Sequence, residues 1–319
     1  MLTLQEIEDA ARVVHAAMPP TPQYAWPLLA RRTGCETWVK HENHTPIGAF
    51  KVRGGLVYMD RLARASGRAV AGVVSATRGN HGQSIAVGAA RAGIAATIFV
   101  PHGNSVEKNA AMRAFGAELI EEGHDFDAAR AAAERLARER GLHMVPSFHR
   151  DLVAGVASYG LELFRAAPPL DTVYVPIGLG SGICGTIAAR DALSPSTRVV
   201  GVVSTGAPAY ALSFAAGKVV ATNSVDTMAD GMAVRGPDAE ALAVILKGAD
   251  RIVSVSDAEV EAAMRAYFED THQVAEGAGA AALAALWQER DRLAGRRVGL
   301  VLSGGNIDRP VYRRVLGDA

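Results

Sequence analysis

The chain has 319 residues, of which 49% are hydrophobic and 21% are charged, so it is long enough for two ordinary domains with buried cores. Lysine plus arginine and aspartate plus glutamate both number 33, and this balance argues against a protein that binds nucleic acid or anionic membranes through its net charge. The two cysteines, Cys35 and Cys184, form no C-x-x-C pattern, which argues against a disulfide scaffold or a cysteine-rich metal site.

The N-terminal segment predicts a helix and not a targeting sequence. Thr3 and Glu6 have the spacing of a capping box at the start of a helix. The segment lacks the basic and apolar regions of a signal peptide, and no apolar run in the chain reaches transmembrane length. We therefore expect a cytoplasmic protein whose partner is a small molecule, with no binding to nucleic acid or membrane.

Short runs rich in valine and isoleucine alternate with alanine-rich segments along the rest of the chain. The predicted strands are residues 70–77, 95–101, 117–123, 142–148, 173–178, 198–204, 251–257 and 297–305. The predicted helices are residues 81–92, 106–115, 126–140, 154–166, 183–193, 257–270 and 278–291. Strands that are apolar on both faces and alternate with helices are typical of parallel sheets in an α/β fold. The pattern predicts two such units, with a boundary near residues 149–151.

Three glycine-rich loops follow predicted strands: TRGNHG (77–82), GLGSG (178–182) and SGGN (303–306). In α/β folds, ligands bind beyond the carboxyl ends of the strands, so the three loops together predict one site. In the first loop, Asn80 has an amide for a ring hydroxyl and the N–H groups around Gly79 suit a carboxylate, although both residues are also common helix caps. In the third loop, Ser303 offers a neutral hydroxyl.

The loop GLGSG predicts an anion-binding site at the start of a helix. Residues 180–185 also satisfy G-x-G-x-x-G, the dinucleotide fingerprint. A dinucleotide site needs an acidic residue about 20 positions later, and residues 204–206 read Ser-Thr-Gly. We therefore favour a phosphate cradle, and a nucleotide-binding oxidoreductase of the NAD type is the alternative from another functional class. A glycine-rich turn without a ligand is the third interpretation.

Lys51 lies in the unusual sequence HENHTPIGAFKVRGG (41–55), after an apolar run. An amine becomes a nucleophile or a base when desolvation or a neighbouring cation lowers its pKa, and Phe50 and Arg53 suggest both effects. A reactive lysine, a phosphate cradle, a donor for a ring hydroxyl and a partner for a ring nitrogen together indicate a lysine-bound pyridoxal phosphate.

With these motifs in this order, the sequence resembles the fold type II pyridoxal-phosphate enzymes, specifically the threonine/serine dehydratase and serine racemase branch. The matching segments are HENHTPIGAFKVRGG, ATRGNHGQS (76–84), GLGSG, MADGMAV (228–234), AEGAGAA (275–281) and SGGNID (303–308). The resemblance implies that Lys51 is the catalytic residue. The cofactor-binding residues that it implies are Phe50, Lys51, Asn80, Gly178, Leu179, Gly180, Ser181, Gly182, Gly231, Glu276 and Ser303. The substrate-binding residues that it implies are Thr77, Arg78, Gly79, Asn80 and His81.

The same resemblance implies a fold and a reaction. The fold is that of the tryptophan synthase β chain, with a large cofactor-binding domain from residues 1–53 and 147–319 and a small substrate-side domain from residues 54–146. The reaction is β-elimination from a β-hydroxy amino acid, which yields a 2-oxo acid and ammonia. A synthase that replaces the β-substituent is the alternative within the fold, and the assembly implied is a homodimer.

The sequence departs from the family pattern in ways that bear on substrate and metal. Arg78 stands where racemases have an acid/base serine, so we expect little racemase activity. Its guanidinium is placed either to bind a distal polar or anionic group of the substrate or to face solvent. The first option suits the substrates of hydroxyectoine-utilisation and hydroxyaspartate dehydratases. Of these two, the hydroxyectoine-utilisation dehydratases are the branch to which we assign the sequence.

Two further departures concern regions at the end of strands and at the end of the chain. Residues 204–210 contain no carboxylate where metal-binding members have acidic ligands, so we expect no bound Mg²⁺ or Ca²⁺ there. The chain ends soon after SGGNID, so we expect no C-terminal regulatory domain.

Overall fold

The computed structural model describes residues 2–65 and 70–317, and these residues form two β-sheets covered by helices. The strands are β1 (Gln23–Ala25), β2 (Glu36–His41), β3 (Val73–Ala76), β4 (Ala96–Val100), β5 (Glu118–Glu121), β6 (His143–Met144), β7 (Thr172–Pro176), β8 (Arg198–Ser204), β9 (Arg251–Val255) and β10 (Arg297–Leu302). One sheet has the order β1-β2-β10-β7-β8-β9, and the other has the order β5-β4-β3-β6. All pairs are parallel except β1 with β2. The predicted α/β class with two mostly parallel sheets is confirmed.

Helices connect the strands and cover both faces of each sheet. They are α1 (Leu4–His15), α2 (Pro27–Thr33), α3 (Lys51–Ala65), α4 (Asn80–Ala92), α5 (Val106–Ala114), α6 (Phe126–Arg140), α7 (Arg150–Ala166), α8 (Ser181–Leu193), α9 (Ala209–Ala216), α10 (Ala239–Gly248), α11 (Asp257–Thr271), α12 (Gly277–Glu289) and α13 (Arg309–Leu316). The predicted capping box of Thr3 and Glu6 is present at the start of α1. No described helix has the length and apolar character needed to cross a membrane.

The larger sheet lies between two helices that are buried over most of their length. The alanine-rich α12 packs on one face of the strands β7 to β10, and α8 packs on the other. Because β7 is buried at all five positions, it reads as a continuous apolar run, as expected for a parallel strand covered on both faces. The smaller sheet is covered by α6 on one face and by α4 on the other.

The N-terminal strands were not predicted, and they change how the chain is divided. Strand β2 pairs with β10, so residues near the N-terminus complete the sheet of the C-terminal half. The predicted single boundary near residues 149–151 therefore does not separate the residues of one sheet from those of the other. Glu36 and Lys40 interrupt the apolar pattern of β2, which explains why the sequence did not reveal it. The domain division at residues 54–146 stays a prediction, and each sheet lies within one of its two parts.

The predicted strand at residues 142–148 is reduced to the two residues of β6. Its pairing with β3 ends at Val145, whose N–H donates to the carbonyl of Val74. The next residue is Pro146, whose ring fixes φ near −65°, away from the φ of about −120° of a parallel strand.

A buried ion cluster fixes the start of α3. Arg53 is fully buried, and its guanidinium binds both oxygens of Glu42 at 2.7 and 2.9 Å and both oxygens of Glu162 at 2.6 and 2.9 Å. The ammonium of Lys40 also donates to Glu162, at 2.6 Å. Two cations therefore meet two carboxylates, and the cluster ties α3 to α7, to β2 and to the turn at Glu42.

We expect the replacement of Arg53 by methionine to lower the free energy of unfolding by about 3–5 kcal/mol, because it leaves Glu42 and Glu162 buried with too few partners. Arg64 on the same helix is the matched control, since its side chain is 75% exposed and pairs with Asp60. Arg64→Met should change the same quantity by about 0.5 kcal/mol or less. Denaturant titration followed by circular dichroism measures both values. Equal, small losses would show that the cluster does not stabilise the fold.

Candidate active site

A cavity of about 850 Å³ lies at the carboxyl ends of β3, β7 and β10. All the site residues predicted from the sequence line it: Phe50, Lys51, Thr77, Arg78, Gly79, Asn80, His81, Gly178, Leu179, Gly180, Ser181, Gly182, Gly231, Glu276 and Ser303. The ends of strands are where α/β folds bind their ligands. The three glycine-rich loops therefore meet at one place.

Lys51 is the first residue of α3, and its side chain is directed into the cavity. The N–H of Phe50 donates to the carbonyl of Ser303 at 3.0 Å, which ties the residue before Lys51 to the end of β10. The ammonium of Lys51 donates to the hydroxyl of Ser181 at 3.1 Å and makes no ion pair with a described residue. Burial lowers the pKa of Lys51 to about 8.

The expected contribution of Arg53 to this shift is not found. Desolvation accounts for the lowered pKa of Lys51, whereas the charge of Arg53 is engaged by Glu42 and Glu162. Arg53 instead stabilises the helix on which Lys51 lies.

The loop at residues 178–182 connects β7 to α8 and leaves its N–H groups free. No hydrogen bond in the described structure uses the N–H of any of these residues. The loop is held by its carbonyls instead: Tyr210 donates to Leu179 at 2.9 Å, and Tyr159 donates to Gly182 at 2.7 Å. A row of free donors at the start of a 13-residue helix is suited to an anion such as phosphate.

Asn80 is the first residue of α4 and contacts Glu276 across the cavity wall. Its Nδ2 donates to Oε1 of Glu276 at 2.8 Å. Glu276 is buried at the start of α12, and its Oε2 makes no hydrogen bond with a described residue. Desolvation raises the pKa of Glu276 to about 7, against the opposing charge of Lys108.

Lys108 on α5 is a site residue that sequence analysis missed. Its ammonium donates to Oδ2 of Asp230 at 2.6 Å and lies 3.6 Å from Oε2 of Glu276. Burial alone would lower the pKa of Lys108, but the charges of Glu276 and Asp230 outweigh it and raise the pKa. Nothing in the local sequence of α5 distinguishes Lys108 from a surface lysine, so only the fold reveals its position.

The loop before α4 is only partly free to bind a carboxylate. The N–H of Gly79 donates to the hydroxyl of Thr77 at 3.0 Å, so this predicted donor is already used. The N–H groups of Arg78, Asn80 and His81 make no hydrogen bond in the described structure. They are the donors that a substrate carboxylate would find at this helix start.

His81 and Ser303 provide neutral polar groups in the cavity. Burial lowers the pKa of His81 to about 3, and the charge of Lys51 acts in the same direction, so the imidazole is neutral near pH 7. Its Nε2 has no hydrogen-bond partner in the described part of the chain. Ser303 follows β10, and its hydroxyl likewise makes no hydrogen bond with a described residue.

The sequence profile of the family described as "Pyridoxal-phosphate dependent enzyme" matches residues 14–304. The chain belongs to this family. Pyridoxal phosphate is therefore its cofactor.

Named relatives support the same assignment over the whole chain. L-threonine ammonia-lyase of Thermotoga maritima is 34% identical over 317 residues, which cover 99% of this chain and 78% of the relative. L-threo-3-hydroxyaspartate ammonia-lyase of a Pseudomonas species is 32% identical over 312 residues, covering 98% and 97%. The structure of maize serine racemase matches with a TM-score of 0.92 and 26% identity, covering 98% and 96% of the two chains. The predicted fold type II architecture is thereby confirmed.

The residues of the cavity fit pyridoxal phosphate chemically. Free N–H groups at residues 178–182 suit its phosphate, the weakly basic amine of Lys51 suits its aldehyde, and the free hydroxyl of Ser303 suits its ring nitrogen. The individual roles of these residues stay predictions.

We expect Gly178→Ala to weaken the binding of pyridoxal phosphate by at least about tenfold. A Cβ at residue 178 would lie 2.3 Å from the carbonyl oxygen of Gly231, so the anion-binding loop or residue 231 must move. Gly236→Ala is the control on the same cavity, because its Cβ would meet Ala221 at an ordinary 3.5 Å.

Titration of the apoenzyme with the cofactor, followed by absorbance and protein fluorescence, gives the two dissociation constants. Similar constants for the Gly178 and Gly236 variants would contradict the close fit of residue 178.

Proposed function

We propose that the protein is an ammonia-lyase that uses pyridoxal phosphate to convert a β-hydroxy amino acid into a 2-oxo acid and ammonia. The observation that carries the proposal is the amine of Lys51, which has a lowered pKa and no carboxylate partner among the described residues. It lies in the same cavity as the N–H groups of residues 178–182, which are free in the described structure. The two ammonia-lyases among the relatives, at 34% and 32% identity, support the reaction class.

Lys51 has the two functions that the reaction needs from one amine. It would hold the cofactor through a covalent bond and, as a free amine, would take the proton from the α-carbon of the substrate. At pH 8 about half of an amine with this pKa is unprotonated, against less than about 1% of an ordinary lysine with a pKa near 10.4. Bound pyridoxal phosphate supplies the electron sink for the negative charge that develops at the α-carbon.

The other residues position the reactants. The N–H groups of residues 178–182 hold the phosphate, and those of Arg78, Asn80 and His81 hold the substrate carboxylate. Ser303 donates a hydrogen bond at the ring nitrogen without supplying a negative charge. A neutral partner would leave the ring nitrogen without a full positive charge, which would favour loss of the β-hydroxyl over transamination.

Borohydride reduction tests the role of Lys51. We expect the purified protein to have an absorption band near the violet edge of the visible spectrum, and reduction to remove the band and add the mass of the cofactor to Lys51 alone. Lys51→Arg should lose the band and release 2-oxo acid and ammonia at least about 10²-fold more slowly, because no base remains at the α-carbon. Lys247→Arg, a change at an exposed lysine on α10, is the control. Attachment of the cofactor to a lysine other than Lys51 would contradict the proposal.

The substrate class is indicated by the cations that line the cavity. Lys108 pairs with Asp230, Arg130 with Glu134, and Arg235 with Asp127. Arg78 is exposed in the cavity and has no ion pair or side-chain hydrogen bond with a described residue. A guanidinium is always charged and binds a carboxylate through two hydrogen bonds. The charge of Arg78 acts on Asp125 without forming an ion pair, and a guanidinium so placed supports a β-hydroxy amino acid with a distal carboxylate or a comparably polar group, such as 3-hydroxyaspartate.

Replacement of Arg78 by alanine separates the two substrate types. We expect kcat/KM for 3-hydroxyaspartate to fall by about 10- to 100-fold, the loss typical of one hydrogen bond between charged groups. The same value for threonine, which has no distal charge, should change less than about threefold. Arg130→Ala, on the same cavity but paired with Glu134, is the control and should affect both substrates little. Equal losses on threonine and 3-hydroxyaspartate would count against a distal contact.

We also propose that the protein is a homodimer and that it is located in the cytoplasm. Both cysteines are free and buried, as suits a reducing compartment. Tyr24 on the edge strand β1 is 51% exposed and nearby Leu28 is 46% exposed, and such side chains are commonly covered by a second subunit. The hydroxyectoine branch, the absence of a divalent metal and the low racemase activity remain predictions.

A further inference from the structure

The carboxamide of Asn80 is held at both ends by other side chains. Its Oδ1 accepts a hydrogen bond from Nδ2 of Asn306 at 2.8 Å, and its Nδ2 donates to Oε1 of Glu276 at 2.8 Å. Asn80 lines the cavity, and an amide nitrogen carries two hydrogens. One N–H of Asn80 therefore has no acceptor among the described residues.

Asn306 has a fixed orientation of its own. Its Nδ2 also donates to the backbone carbonyl of Ile47 at 2.7 Å. A carbonyl can only accept, so it selects the nitrogen end of Asn306. A Cβ on Gly48 would lie 2.7 Å from Oδ1 of Asn306, and Gly48 has a φ of 68°, so this close approach requires glycine.

These contacts form a series of hydrogen bonds in which the donor and the acceptor of each bond are fixed. The carbonyl of Ile47 orients Asn306, Asn306 orients Asn80, and Glu276 accepts from the other end of Asn80. The two ends of a carboxamide have nearly the same shape, so only hydrogen-bond partners determine which end faces a ligand. A reversed Asn80 would direct its oxygen toward the carboxylate of Glu276 and its nitrogen toward the nitrogen of Asn306, and both contacts would be repulsive.

We propose that Asn306 is a positioning residue for the cofactor, because it holds the carboxamide of Asn80 so that a free N–H is available to the ring oxygen of pyridoxal phosphate. Asn306 acts through Asn80 and not by its own contact with the cofactor. The inference rests on the proposed contact between Asn80 and the ring oxygen, and it is independent of the substrate and of the reaction.

The test is a double-mutant cycle on cofactor binding, measured without substrate. Asn306→Asp keeps the shape of the side chain but removes both donors, so Asn80 loses the contact that fixes its orientation. We expect the dissociation constant of pyridoxal phosphate to rise by about tenfold and the absorption maximum of the holoenzyme to shift. In an Asn80→Ala background, the same Asn306 change should alter the dissociation constant by less than about twofold.

Three controls separate positioning from general damage to the fold. Asn306→Ala removes the donors without adding charge and should reproduce the effect and its dependence on Asn80. Asn43→Asp breaks two amide contacts beside the same loop, with Gln273 and Val274, neither of which involves Asn80, and should leave cofactor binding and the spectrum unchanged. Thermal unfolding of each apoenzyme shows which variants fold.

The outcomes distinguish this inference from the proposed function. A tenfold loss that disappears in the Asn80→Ala background supports positioning by Asn306, whether or not the enzyme releases ammonia. An equal loss in both backgrounds, or normal binding and an unshifted spectrum in the folded Asn306 variants, would overturn it.

Discussion

The position of Lys51 in the site depends on the buried guanidinium of Arg53. Arg53 lies two residues after Lys51 and engages Glu42 and Glu162 from different parts of the chain. These contacts determine where α3 begins and hence where Lys51 enters the cavity. The cluster thus orients the lysine, whereas burial of the amine, and not the charge of Arg53, lowers the pKa of Lys51.

The cavity lies where the two sheets meet, and charged contacts join its walls across that junction. Lys108 extends from the side of the smaller sheet to Asp230 and Glu276, and Asn80 contacts Glu276 from the same side. Without Lys108, a carboxylate as deeply buried as Glu276 would be protonated more readily, since desolvation already raises its pKa to about 7. A neutral Glu276 is a weaker acceptor for Asn80. The position of α5 is therefore linked through Lys108 and Glu276 to the amide of Asn80 on the cavity wall.

The sequence predicted the parts of the site that depend on local backbone shape. The loops TRGNHG, GLGSG and SGGN could be recognised because glycine, strand end and helix start are local features, and all three line the cavity. The family resemblance added residues such as Gly231 and Glu276, whose local sequences carry no chemical signal. Lys108, Asn306 and Glu162 could not be predicted, because each acquires its role from a partner at least 100 residues away. Strand β2 was missed for the same reason, since its buried Lys40 reads as a surface charge until Glu162 is placed beside it.

Hydrogen bonding divides the cavity into two parts. On the side of Asn80 and Glu276, the side chains hold one another in fixed directions through Asn306 and Lys108, as precise placement of a cofactor ring requires. Arg78 is held by no described side chain, so it can adjust to the substrate. Changes at these interlocked side chains would affect the reaction with every substrate, because every substrate uses the cofactor. With the contact proposed for Arg78, changes at this residue would alter the choice of substrate, because only substrates with a group long enough and polar enough would reach it. Specificity would then diverge at one position while the cofactor site is retained.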